Sequence, residues 1–135
     1  MSKYLTASQY ELQISVIDVA WLAGIIDGEG TVGIYKRKGT DGIRPTISMT
    51  NTDKLIIDKV CSLLHTKAYP ARAKNLRREA WQLSLQHRKA IMVMEKIIPY
   101  LQGEKKEKAI KIVELYQSHR IAPTIRKENG AVAIP

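Results

Sequence analysis

A chain of 135 residues is the size of one ordinary domain, and its 44% apolar content is enough to bury a core without disulfide or metal staples. The 22 basic residues against 13 acidic ones, a formal charge of +9, put nucleic acid first among partners, although ribosomal proteins and membrane-surface binders share that signature. The single cysteine, Cys61, excludes an intrachain disulfide; no apolar run approaches the ~20 residues of a membrane span and no leader pattern opens the chain, so a soluble, non-secreted protein without membrane contact is expected.

From Ser15 to Ile26 the apolar residues recur at helical spacing, with Ser15 or Asp18 as the N-cap. Ala20, Gly24 and Gly28, four apart, lay one smooth stripe along that helix. After Gly30 the period falls to two: Thr31, Gly33, Tyr35 and Arg37 alternate with Val32, Ile34 and Lys36, as in a half-buried strand. A turn around Gly39, Asp41 and Gly42 leads into a second strand, with Ile43, Ile47 and Met49 on one face and Arg44, Thr46 and Ser48 on the other. Pro45 signals a sheet edge or a bulge. Thr52 or Asn51 caps a second helix to about Leu64, whose apolar face holds Ile56, Ile57, Val60, Leu63 and Leu64. Cys61 falls in this apolar setting and reads as a buried thiol, and His65, His87 and His119 are isolated from any second metal ligand. A second hairpin joins Tyr69–Lys74 to Ala80–Gln86 through a basic turn with Arg77 and Arg78. Two more helices follow, Lys89 to Leu101 and Lys105 to about His119.

The order predicts an α+β fold on an αββαββα plan, the last helical stretch split in two, with a four-stranded antiparallel sheet covered by helices on one face. One domain over residues 15–120 is expected, with a lead at 1–14 and an extended or loose tail at 121–135. The uncovered sheet face would carry Thr31, Tyr35, Arg37, Arg44, Thr46 and Ser48 from the first hairpin, and Arg72, Lys74, Gln82 and Ser84 from the second. Such a face is either plain solvated surface or one suited to base edges and phosphates, since a major groove admits a β-ribbon.

Asp27-Gly28-Glu29-Gly30, taken alone, serves equally as a helix C-cap and turn. With the residues before it, Leu22 to Gly30 reads LAGIIDGEG, which resembles the motif of the LAGLIDADG homing endonucleases. Ser48-Met49-Thr50-Asn51-Thr52-Asp53-Lys54 and the stretch from Pro99-Tyr100-Leu101 to Lys105-Lys106-Glu107-Lys108-Ala109 resemble the family's single-motif members as well, so the likeness runs from about Ser15 to Arg120.

That resemblance implies a homodimer whose saddle-shaped sheets each hold half of a long pseudo-palindromic site in double-stranded DNA. It implies a site-specific double-strand break by metal-dependent phosphodiester hydrolysis, in the service of intron homing. The metal would be Mg2+, with Mn2+ or Ca2+ able to occupy the same sites, and the compartment a bacterial or phage-infected cytoplasm or an organellar matrix. The alternative within the same fold is a cleavage-inactive DNA-binding regulator or an RNA maturase. Physically, the small residues Ala23, Gly24 and Gly28 let two copies of the helix approach closely, so that two Glu29 carboxylates converge; Mg2+ prefers such hard oxygen ligands.

By the same resemblance Glu29 is the catalytic acid and metal ligand, with the Gly28 backbone carbonyl beside it. Lys105, or its neighbour Lys106, supplies a cation near the scissile phosphate, and Asn51 positions solvent around the metals, unless it only caps a helix. Ala20, Ala23, Gly24, Asp27 and Gly28 form the dimer seam, where Asp27 also holds the helix end. Tyr35, Arg37, Arg44, Thr46 and Ser48 face DNA from the first hairpin, and Arg72, Lys74, Arg77, Gln82 and Ser84 from the second. Lys108, Lys111, Arg126 and Lys127 touch phosphates.

Overall fold

The computed structural model describes residues 13–36, 42–71 and 78–128, with side chains to residue 118. The elements run α1 (Val16–Glu29), β1 (Gly30–Lys36), β2 (Ile43–Asn51), α2 (Lys54–Leu64), β3 (Tyr69–Pro70), β4 (Trp81–Gln86) and α3 (His87–Ile97). A 3-10 turn at Ile98–Tyr100 and α4 (Glu104–Glu128) complete the order. All strand pairs are antiparallel, in the order β1-β2-β4-β3, so the expected α+β architecture is the one observed.

The alternation of each strand decides which side is covered. Val32, Ile47, Met49, Leu83 and Leu85 point into the core, where they meet Leu22 and Ile26 of α1, Ile57, Val60 and Leu64 of α2, Val93, Met94 and Ile97 of α3, and Ala109 and Ile112 of α4. Removing these side chains from water is the main stabilising term. Pro45 is buried within β2, and its position explains how a proline is tolerated there. The β2–β4 ladder starts one residue later, at Thr46↔Gln86, so Pro45 has a partner only on β1, where it faces Ile34.

Several boundaries differ from the sequence reading. At the start of α1 the Ser15 hydroxyl accepts from the Asp18 N–H at 3.1 Å, which settles the N-cap. The helix runs on through Gly28 to Glu29 instead of stopping at Ile26. The cap of α2 is Asp53, not Thr52 or Asn51: its carboxylate accepts from the Leu55 N–H at 3.0 Å. Helix α3 stops at Ile97 because Pro99 has no N–H to donate to the preceding turn, and the backbone tightens into the 3-10 turn. Helix α4 continues through Pro123 to Glu128 where an extended tail was expected; the proline forfeits its own N–H bond without ending the helix.

Cys61 is half-buried, and burial, then the nearby Asp58 carboxylate, push its thiol above the usual range against a smaller pull from Lys54. A thiolate is therefore disfavoured there. His65 ends α2 in the left-handed region, with φ 51° and ψ 50° and its N–H on the Cys61 carbonyl. Glycine adopts that conformation without the Cβ clash, so His65→Gly is expected to raise stability by about 0.5–1 kcal/mol, read in urea or thermal unfolding against wild type.

Candidate functional site

The end of α1 is built by residues far apart in sequence. Gly30 caps the helix through its N–H on the Ile26 carbonyl, and a Cβ at this position would lie 3.0 Å from the Ile26 Cα, so any larger residue would press on the helix backbone. Helix α1 has no basic residue in its last turn, where its dipole is negative. Lys105 of α4 supplies the cation: its Nζ donates to the Ile26 and Asp27 carbonyls, both at 3.0 Å. The Lys106 backbone N–H bonds to the Gly103 carbonyl at 3.1 Å, as part of the start of α4.

The two acids of this segment differ in their commitments. Asp27 accepts from the Gln102 N–H at 2.8 Å and from the Gly103 N–H at 3.3 Å, tying the loop before α4 to the helix end. Glu29, the last helical residue, is exposed, and no hydrogen bond or ion pair joins its carboxylate to any other described residue. Asn51 sits at the same end of the sheet, two residues past the Gly30↔Met49 pair, and its side-chain carbonyl accepts from the Asp53 N–H at 2.8 Å. That bond lets Asn51, two residues before the cap of α2, hold the cap residue's own N–H.

One face of α1 is turned away from the chain's own core. Ile17 is 81% exposed, and Ala20, Gly24 and Gly28 follow it on the same side. A Cβ added at Gly24 or Gly28 would meet nothing within 4 Å. Glycine inside a helix costs about 1 kcal/mol relative to alanine, and nothing among the described residues requires it here. Ala23 corrects the expected seam: it is wholly buried in the chain's own core and has no surface left to cover. Asp27 is half-buried and engaged as described above.

The uncovered sheet face carries Thr31 and Tyr35 from β1, Arg44, Thr46, Ser48 and Thr50 from β2, and Gln82, Ser84 and Gln86 from β4, all in cross-strand register. Thr46 is the exception in exposure at 6%, which leaves it little surface to offer a ligand. Arg37, Arg72, Lys74 and Arg77 lie outside the described residues, and the side chains of Arg126 and Lys127 are likewise not described. Three positions on this face were not singled out from the sequence: Thr50, Gln86 and Tyr69, the last opposite Gln82 and 63% exposed. Strict extension of the two-residue alternation would have found the first two. Tyr69 with Thr66, Lys67, Ser48, Thr50 and Gln82 lines a groove of about 400 Å³ on this side of the sheet.

Divalent cations such as Mg2+ take hard oxygen ligands, and an exposed, uncommitted carboxylate next to a backbone carbonyl is of that kind. Among the described residues no three acidic, histidine or cysteine side chains cluster into a metal cage, so one chain offers Glu29 alone at this point. The donor chemistry fits a divalent ion, provided that a second carboxylate arrives from elsewhere.

No protein-family model and no curated protein matches the sequence. Solved structures do match. The homing endonuclease I-CvuI in complex with its target and calcium aligns at TM-score 0.61 and 18% identity, over 83% of this chain and 74% of that one. The same enzyme on the I-CreI target with magnesium aligns at TM-score 0.57 and 19% identity, over 75% of this chain and 66% of that one. The LAGLIDADG meganuclease I-AabMI bound to uncleaved DNA aligns at TM-score 0.55 and 21% identity, over 82% of this chain but only 38% of that one. No helix among the described residues is long and apolar enough to cross a membrane. With four helices among the described residues, a β1-β2-β4-β3 sheet and the LAGIIDGEG helix leading into β1, this chain has the fold of the LAGLIDADG homing endonucleases.

Proposed function

We propose that this chain is a homodimeric, divalent-metal-dependent endonuclease that makes a double-strand break in a long, pseudo-palindromic DNA site. The observation that carries the reading is a juxtaposition: the uncommitted Glu29 carboxylate ends a helix whose outward glycines, Gly24 and Gly28, meet none of the other described residues. Two such helices related by a two-fold axis would pack at the glycines and bring two Glu29 side chains together. The neighbours in the solved structures are described as bound to DNA, with magnesium or calcium in two of them, which supports the same partner and metal class.

A divalent ion held by Glu29 and the Gly28 carbonyl would activate water at neutral pH and offset charge on the phosphate. The remaining work falls to the chain's own groups. Lys105 fixes the last turn of α1 and sets a positive charge beside it, where negative charge develops on a bound phosphodiester. Asp27 keeps the loop before α4 in place, so Lys105 starts from a defined position. The basic surface of the +9 chain draws the DNA in.

The test is incubation of the full chain with a pool of double-stranded genomic DNA, with and without Mg2+, followed by sequencing of cut ends. Recurrent paired cuts only with the metal support the reading, and retention of DNA without any cutting turns it into a binding regulator. Lys105→Met is expected to lower the single-turnover cleavage rate by about a hundredfold while DNA affinity stays within severalfold.

A further inference from the structure

Tyr35 on β1 and Arg44 on β2 are direct cross-strand partners on the uncovered face. The guanidinium carbon of Arg44 lies 5.4 Å from the centroid of the Tyr35 ring, within the range of a cation–π contact. Tyr35 is 55% exposed, so the contact stands at the open surface. The Arg44 Nε is buried with no hydrogen-bond partner among the described residues. Among the described residues the Tyr35 ring is what holds this side chain, and no carboxylate pairs with it. A side chain ordered in advance loses less freedom on binding.

The geometry points to Arg44 as a guanine-reading side chain, with Tyr35 as the residue that positions it, about five base pairs outward from the phosphate addressed by Glu29. This assignment rests on the proposed DNA cleavage. A planar guanidinium matches the O6 and N7 acceptors of guanine in the major groove when its plane is fixed, which is what stacking on a ring does. A phosphate can take the same fork bidentately, so loss of preference at one position, as against uniform weakening on every sequence, distinguishes a base contact from a backbone contact. The distance follows from the register. From Gly30↔Met49, beside Glu29, to Tyr35↔Arg44 is five residues of strand. At about 3.4 Å per residue this spans roughly 17 Å, which a strand following the groove covers in about five base pairs. The two positions between them and the next on this face, Gly33 and Thr46, bring no charge that competes for the base.

The experiment is selection from a randomised double-stranded DNA library by wild type, Arg44→Ala, Tyr35→Ala and Tyr35→Phe, with sequencing of the bound pools and affinities measured on the winning site. Wild type is expected to enrich a guanine at the same place in both half-sites. Arg44→Ala should lose preference at that position alone, with about ten- to a hundredfold weaker binding of the guanine site. Tyr35→Ala should reduce the discrimination about three- to fivefold, and Tyr35→Phe, which keeps the ring, should restore it. Uniform weakening on all sequences by Arg44→Ala, an unchanged profile, or enrichment of another base there overturns the assignment while the nuclease reading stands. A wild-type chain that retains no DNA of any sequence sinks the nuclease reading, and this assignment with it.

Discussion

Replacing Glu29 by glutamine is expected to reduce cleavage by about a thousandfold or more while leaving DNA binding intact. The substitution keeps size and shape and removes only the negative charge, and the side chain makes no hydrogen bond or ion pair with any other described residue. Binding in the absence of metal is expected to tighten slightly, because two converging carboxylates repel each other and the DNA phosphates. Single-turnover cleavage and gel-shift titration of the same preparation separate the two effects. Wild-type cutting by the variant removes Glu29 from the chemistry. Asp27→Asn provides the contrast. One of its two acceptors becomes a donor facing a backbone N–H of Gln102 or Gly103, so stability should fall by about 1–3 kcal/mol, a loss visible in unfolding and not in rate alone.

Gly24→Leu tests the seam with an effect of equal size and an unusual sign. Within one chain the added side chain meets open space, and leucine favours the helix over glycine by about 1 kcal/mol, so the isolated fold should be no less stable. In a dimer packed at the glycines the same side chain would hold the two helices apart, so sedimentation should give a monomer and cleavage should disappear. A leucine variant that remains a dimer and cuts DNA would move the interface to another surface. Gly30→Ala separates this from a fold defect. Its Cβ would press on Ile26 within the chain, so it should destabilise the monomer and leave the choice of partner surface alone.

Legibility followed the range of the interaction involved. Strands β1, β2 and β4 were readable because alternation is local: Val32, Ile47 and Leu85 had to point one way for Tyr35, Arg44 and Ser84 to point the other. The cap at Asp53 was missed by one residue because Asn51, Thr52 and Asp53 are all good caps, and the choice depended on the Asn51 side chain bonding to the Asp53 N–H. Ala23 was placed on the seam because it is small. Size alone does not tell which side of a helix meets the core when both sides are apolar, as they are in α1.

The sequence by itself therefore determined the element order, the two faces of the sheet and the acid-bearing LAGIIDGEG segment, since each is written in spacings of two to four residues. Only the tertiary structure showed which backbone groups Asp27 engages, while the Glu29 carboxylate bonds to no other described residue. It brought the backbone of Gln102 and Gly103, and the ammonium of Lys105, across more than seventy residues to the end of one helix. Contacts between groups so far apart in the chain depend on how helices pack on the sheet, and that packing leaves no periodic trace in the order of residues.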